Sequence, residues 1–260
     1  MSGTGAAPPD LSVIIPAYNE EKRLPQTFER LERYLAARSY TSEILVVDDG
    51  SSDSTKQVVQ SWQTRALNLR LISNPGNRGK GFSVRHGMLE AQGNIALFTD
   101  ADLSAPIDEA DKLLAALKDF DVAIGSRALN RSLIELHQSG TRESAGRAFN
   151  WAVRNFTGVP FLDTQCGFKA FRRERTRILF EQQRIERFGF DPELLFLARR
   201  HGLSVTEVPV RWAHDPATRV HVAADGLRML AELAVIRWNS LAGRYPALPG
   251  PSGPADPPRD

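Results

Sequence analysis

The chain has 260 residues, 42% of them hydrophobic and 25% charged, and a formal net charge of only +2. That composition suits one globular domain with a sizeable core and excludes wholesale disorder, while so small a charge makes no case for nucleic acid. The single cysteine, Cys166, excludes an intrachain disulfide and a cysteine-built metal quartet, and it fits a reducing compartment.

Residues 1–9 show no basic region followed by an apolar stretch, so a loose tail is expected there rather than a signal peptide. The β-branched run Leu11 to Ala17 reads as a buried strand and breaks off into Tyr18-Asn19-Glu20. Leu24, Phe28, Leu31 and Leu35 then fall at helical spacing over 20–38, with Pro25 tolerable in the first turn. A second strand over 43–47 ends in Asp48-Asp49-Gly50, and Asp53 can cap a helix running to about Arg65. Leu69 to Ser73 is a third strand, Gly79 to Gln92 a third helix closed by Gly93, and Ile95 to Thr99 a fourth strand ending in Asp100-Ala101-Asp102. A helix over 108–118 and a strand over 122–125 continue the alternation. This order predicts an α/β fold, a doubly wound, mainly parallel sheet with helices on both faces.

Past Arg127 the regularity fails. A mobile loop is expected at about 128–146, overlapping a helix from about Arg142 to Phe156, then a strand near 167–171, a helix over 192–200 and an alternating strand over 204–210. A single domain over 10–241 ends in an amphipathic helix at about 223–241, and the Pro- and Gly-rich 245–260 reads as a disordered tail. In that helix Leu227, Leu230, Ala231, Ala234, Trp238 and Leu241 form a stripe. It either packs against the body or lies on a membrane interface, with Arg237 and Trp238 as anchors. No run of about 18 apolar residues occurs, so no membrane-spanning helix is expected.

Open α/β sheets bind ligands at the carboxyl ends of their strands, and here those ends are acidic. Asp100 and Asp102, in a D-x-D, can face a divalent cation and a diphosphate together, with the Ser104 hydroxyl as a further oxygen. Asp48 and Asp49 at a neighbouring strand end strengthen that reading. Asp119-Phe120-Asp121 has the same spacing but precedes a strand, where a helix end and turn are expected. Asn77-Arg78-Gly79-Lys80-Gly81 fails the P-loop pattern, yet its glycines allow close backbone approach, and Arg78 or Lys80 can neutralise a diphosphate. Arg127, Arg131, Arg142, Arg147, Arg154, Arg172, Arg173, Arg175 and Arg177 crowd the middle of the chain, which suits an anionic partner or a solvated basic face. The five histidines are scattered without metal-ligand spacing, and no G-x-S-x-G nucleophile elbow occurs.

Together these motifs resemble the family 2 glycosyltransferases of GT-A fold, over about Leu11 to Leu241. The family's three N-terminal signatures are matched by Ser12 to Glu20, Val47 to Asp53 and Asp100-Ala101-Asp102, in order. Gly125-Ser126-Arg127, Asp163-Thr164-Gln165-Cys166-Gly167-Phe168-Lys169 and Phe190-Asp191-Pro192-Glu193-Leu194-Leu195 are similar to dolichyl-phosphate β-glucosyltransferases and, less closely, to dolichyl-phosphate mannosyltransferases. The resemblance implies that Pro16, Tyr18 and Glu20 line a nucleoside pocket, with Asp49 on the base and Asp48 or Asp100 near the ribose. Ala101 belongs to the same nucleotide-sugar site. It implies Mg²⁺ or Mn²⁺ on Asp102, helped by Ser104. Arg127, Lys169 and Arg219 would face the acceptor phosphate or donor diphosphate, and Gln165, Asp191 and Glu193 would shape the sugar site. Two departures stand out: the N-terminal membrane helix of the eukaryotic glucosyltransferases has no counterpart here, and Ala217-Thr218-Arg219 replaces their Gly-Ser-Lys.

The expected activity is inverting transfer of a hexose, glucose favoured, from a nucleotide sugar to a polyprenyl or dolichyl phosphate. The protein would be cytoplasmic and peripheral on the cytoplasmic face of a membrane. A phosphate acceptor is already anionic at neutral pH, which suits a chain with no evident general base. The alternatives are a family 2 enzyme acting on a sugar, lipid or protein hydroxyl, with Asp191 as base, and, ranked lower, a non-catalytic nucleotide-binding protein or a nucleotidyltransferase.

Overall fold

The computed structural model describes residues 7–65, 68–136, 140–213 and 222–246. Its first half follows the alternation read from the sequence: β1 (Leu11–Ala17), α1 (Leu24–Ala36), β2 (Ser42–Asp48), α2 (Thr55–Trp62), β3 (Leu69–Ser73), α3 (Lys80–Glu90), β4 (Ile95–Thr99), α4 (Ala110–Ala116) and β5 (Val122–Ser126). The N-cap of α2 falls on Ser54, whose side chain makes no capping bond, and Asp53 one residue earlier accepts the Thr55 N–H at its Oδ1, 3.0 Å. Asp121, from the second D-x-D, accepts from Ser204 and Arg175 and serves the turn before β5.

The second half holds β6 (Ile134–Leu136), α5 (Gly140–Thr157), β7 (Phe168–Arg172), α6 (Arg173–Gln182), α7 (Phe190–Arg200), β8 (Val205–Pro209), β9 (Trp212–Ala213) and α8 (Val222–Leu241). The expected loop at about 128–146 is corrected: a 3₁₀ turn over Arg131–Leu133, the strand β6 and the opening of α5 occupy much of it. β6 pairs in parallel with β9, a two-stranded ribbon too short to show a period in the sequence. Helix α6 was not expected. Its pattern was nonetheless present, since Thr176, Leu179 and Phe180 bury one face at helical spacing.

The main sheet has the order β3-β2-β1-β4-β7-β5-β8. All pairings are parallel except those of β7, which runs antiparallel between β4 and β5. Because successive strand residues point to opposite faces, Val13 and Ile15 join one core while Ile14 joins the other. The first core lies under α1, α2 and α4, where Phe28 meets Trp62 at 5.3 Å between ring centroids. The second lies under α3, α6, α7 and α8, with Phe98 against Phe171 and Phe190. Burial on both faces is why these strands are continuous apolar runs, each large side chain contributing about 2 kcal/mol of transfer free energy.

In α8, Met229, Leu233 and Ile236 face the body. The stripe singled out from sequence does not pack there: Leu227, Leu230, Ala231, Ala234, Trp238 and Leu241 are all exposed. Two apolar faces compete on this helix, and the body takes the one with the β-branched isoleucine and the flexible methionine.

Candidate active site

The carboxyl ends of β1, β2 and β4 lie side by side, and beyond them opens a cavity of about 290 Å³. Pro16, Tyr18, Glu20, Asp49, Lys80, Asp100, Ala101 and Asp102, assigned to donor or metal from the sequence, all line it. Asn77, Gly79, Ser83, Arg187 and Phe188 complete the wall, with Arg23 bonded to Glu20 at its rim. Arg187 and Phe188 escaped the sequence reading because they follow the unforeseen α6.

Asp49 fixes the turn that leads into α3. Its Oδ1 accepts from Asn74 Nδ2 at 2.8 Å and from the Arg78 N–H at 3.0 Å, and its Oδ2 from the Gly79 N–H at 2.7 Å. Gly79 has φ +110°, and a Cβ there would lie 2.6 Å from the Glu186 carbonyl oxygen. Only glycine fits both the dihedral and the contact. The turn delivers Lys80 as the first residue of α3, where it forms an ion pair with Asp100. Although burial opposes it, the carboxylates of Asp100, Asp191 and Asp102 hold Lys80 above the ordinary lysine value.

Asp102 shows the opposite stress. Burial first, and repulsion by Asp100 second, lift it above the usual carboxylate range, even though its Oδ1 accepts the Ser104 N–H at 2.9 Å. The Ser104 hydroxyl is near enough to the same carboxylate to draw its pKa down in part. Among the described residues there is no group of three metal-ligating side chains. Two carboxylates at one strand end still fit a Mg²⁺-like ion, which takes one or two protein oxygens and completes its shell with phosphate and water. The unrelieved charge on Asp102 is what such an ion would relieve.

Four assignments from the sequence are corrected. Asp48 is fully buried and turned into its own loop, accepting from the Gly50 and Ser51 N–H groups, so it does not reach a ribose. Lys169 is 1% exposed, and its Nζ is committed inward, donating to Asp191 Oδ1 and to the Cys166 carbonyl, each at 2.6 Å. Asp191 is thereby spent within the core, where burial raises its pKa against the pull of Lys169 and Lys80. Glu193 is likewise internal, accepting the Ile185 N–H at 2.8 Å and the Tyr245 hydroxyl at 2.6 Å. Arg219 lies outside the described residues.

A second, larger cavity of about 520 Å³ lies across the 165–167 segment, where Gln165 lines it and Gly167 abuts Asp100 of the first. Arg127, Arg131, Arg147 and Arg154 line it with Trp151 and Trp212, and Gln165 belongs here rather than to the nucleotide-facing cavity. Arg127 is clamped by Asp163, Nε to Oδ2 at 2.7 Å and Nη2 to Oδ1 at 2.8 Å. Against the cost of burial, Arg127 depresses the Asp163 pKa. Of the remaining arginines of the central run, the Arg142 side chain lies outside the described residues, Arg172 and Arg173 cap backbone carbonyls, and Arg175 and Arg177 pair with Asp121 and Glu181. Between the two cavities runs the 165–167 segment. Gly167 abuts Asp100 so closely that a Cβ would sit 2.2 Å from the Asp100 Oδ2.

The family model described as "Glycosyl transferase family 2" matches residues 12–177. A dolichyl-phosphate beta-glucosyltransferase of Drosophila melanogaster is 38% identical over 250 residues, 91% of this chain and 77% of the relative. The Homo sapiens protein of the same name is 33% identical over 249 residues, 90% of this chain and 77% of its own length. Among solved structures, glucosyl-3-phosphoglycerate synthase from Mycobacterium tuberculosis, in complex with Mn²⁺, UDP and glucosyl-3-phosphoglycerate, superposes with a TM-score of 0.61 at 19% identity. That match covers 93% of this chain and 82% of the synthase, and at such identity it carries the fold.

Proposed function

We propose that this chain, which belongs to glycosyl transferase family 2, transfers glucose from UDP-glucose to a dolichyl or other polyprenyl phosphate with inversion at the anomeric carbon. The observation that carries this reading is the pairing of two cavities of different chemistry across the 165–167 segment. One is lined by four carboxylates with Lys80, Arg23 and Arg187, the other by four arginines and two tryptophans with a single carboxylate, Asp163. The names of the relatives supply donor sugar and acceptor class.

Pro16 and Tyr18 offer the nucleoside a wall, and the turn held by Asp49 brings Lys80 to the diphosphate. Lys80 exchanges Asp100 for diphosphate oxygens as the donor enters. Asp102, with Asp100 beside it, is the proposed holder of Mg²⁺ or Mn²⁺. Such an ion supplies charge neutralisation for the departing nucleoside diphosphate. On the acceptor side the arginine-lined cavity binds the phosphate, and Trp151 and Trp212 offer apolar surface to the first prenyl units. The acceptor oxygen is anionic at neutral pH, so no group of the protein need remove a proton. Catalysis then rests on alignment of the attacking oxygen and on stabilisation of the leaving diphosphate.

A lipid acceptor favours a reaction at a membrane surface, and on this reading the protein acts as a peripheral protein of the cytoplasmic face, where sugar nucleotides are available. Among the described residues no helix is long and apolar enough to cross a membrane. The decisive experiment incubates the protein and Mg²⁺ or Mn²⁺ with labelled UDP-glucose, UDP-galactose, UDP-N-acetylglucosamine or GDP-mannose, each with a prenyl phosphate or a prenyl alcohol. Label should pass from UDP-glucose to the phosphate alone. Transfer to the alcohol with none to the phosphate would overturn the acceptor assignment, and a different preferred donor would overturn the sugar.

A further inference from the structure

Exposed large hydrophobic side chains are not scattered over this molecule. Of the eleven among the described residues, seven lie on α5 and α8, which pack along one another. Single exposed apolar residues are ordinary on any surface, but a cluster on adjacent helices is not. On α8 the exposed large apolar residues are Leu227, Leu230, Val235, Trp238 and Leu241, with Leu227 72% and Leu241 79% accessible. At about 100° per residue they span an arc of about 140°. Arg228 and Arg237, both exposed, fall immediately on either side of that arc.

The neighbouring α5 adds Trp151, 69% exposed, within an arc of about 60° that also holds the exposed Arg147 and Arg154. Every described charged side chain that reaches out from these two helices is thus an arginine. The one described carboxylate on α8, Glu232, instead accepts the Gly189 N–H at 2.8 Å on the body side. Trp151, Arg147 and Arg154 also line the larger cavity, so the exposed face of α5 and the cavity share these three side chains. Met229 of α8 reaches Gln165 of the same cavity, Sδ to Nε2 at 4.0 Å.

We propose that α5 and α8 form a docking face for an anionic lipid bilayer, with α8 lying in the interface plane. An apolar arc flanked by arginines, with tryptophan on it, matches the acyl–headgroup boundary of such a membrane. A second copy of the chain is a poorer occupant, because a two-fold pairing would set four arginines against four. The inference rests on the acceptor reading above in one respect: a lipid phosphate drawn from the bilayer would enter the arginine-lined cavity along this face.

Flotation of the whole protein with phosphatidylcholine vesicles, with and without phosphatidylglycerol, tests the face in the absence of donor and acceptor. Binding should need the anionic lipid and weaken as salt rises. The double variant L230E/W238E should lose at least about tenfold in vesicle affinity, keep the wild-type melting temperature, and glucosylate a water-soluble short-chain prenyl phosphate at the wild-type rate. Absence of wild-type binding to anionic vesicles at low salt would overturn the proposal. So would undiminished binding by the double variant, or a wild-type dimer in lipid-free buffer that the variant breaks. Vesicle binding without glucosyl transfer would instead refute the catalytic reading and leave the docking face standing.

Discussion

Asp102 is poised between two fates: buried and pressed by Asp100 it is driven towards the neutral acid, whereas a cation and diphosphate would fix it as the carboxylate. Removing it with D102A should therefore lower transfer by about 10²-fold or more while the melting temperature stays at or above wild type, measured by labelled transfer and calorimetry. Asp191 and Lys169 behave differently, because each is the other's buried counterion. Either K169M or D191N alone leaves an uncompensated polar or charged group in the core and should cost about 3 kcal/mol in urea unfolding, with the double variant losing less than the two singles together. D191N should still support transfer wherever it is folded, since Asp191 is engaged with Lys169 and the acceptor needs no base. Asp163 gives the pH signature. Burial works against its ionisation but Arg127 prevails, so its folded-state pKa lies below that of the unfolded chain. Its stabilising contribution is present above the unfolded value, about 3.9, and vanishes as pH falls through the folded one. The stability gap between wild type and D163N should accordingly be largest near neutrality, about 2 kcal/mol, begin to shrink below about pH 4 and vanish only once pH is under the folded value, in denaturant titrations followed across pH.

At the scale of elements, the strands were legible because burial on both faces leaves an apolar run, and their acidic ends were legible because a parallel sheet gathers them at one edge. Sequence could not reveal which acids turn inward. Asp48 and Asp49 are adjacent on β2 and its exit, yet one feeds its own loop while the other fixes the approach to α3. Lys169 and Glu193 stand in motifs that mark the site, and the structure uses both to hold the site's walls rather than its ligands. The central arginines read as one patch, but four of them line a cavity while those from 172 to 177 brace β7 and α6, a division set by a helix whose apolar face is only three residues wide. The turn before α3 makes its own prediction. G79A must adopt φ +110° and push against the Glu186 carbonyl, so it should lose about 1–3 kcal/mol of stability and raise KM for the sugar nucleotide more than it lowers kcat, read from thermal melts and initial rates.

For the molecule as a whole, the antiparallel course of β7 has a consequence beyond pairing. A strand that runs against its neighbours begins where they end, so the chain leaves the sheet after Ser126 and re-enters at Phe168 on the same edge. Residues 127–167 are therefore an excursion with both ends anchored side by side, β5 and β7 being hydrogen-bonded neighbours. It carries most of the larger cavity and none of the residues lining the smaller one. An insert hinged at two adjacent points can be lengthened, shortened or replaced without altering the register of the sheet. Exchanging 127–167 with the equivalent stretch of a family member of different acceptor preference should redirect the acceptor and leave donor selectivity untouched, as the same panel of sugar nucleotides would read out. The fold, in that sense, separates the choice of what is given from the choice of what receives it.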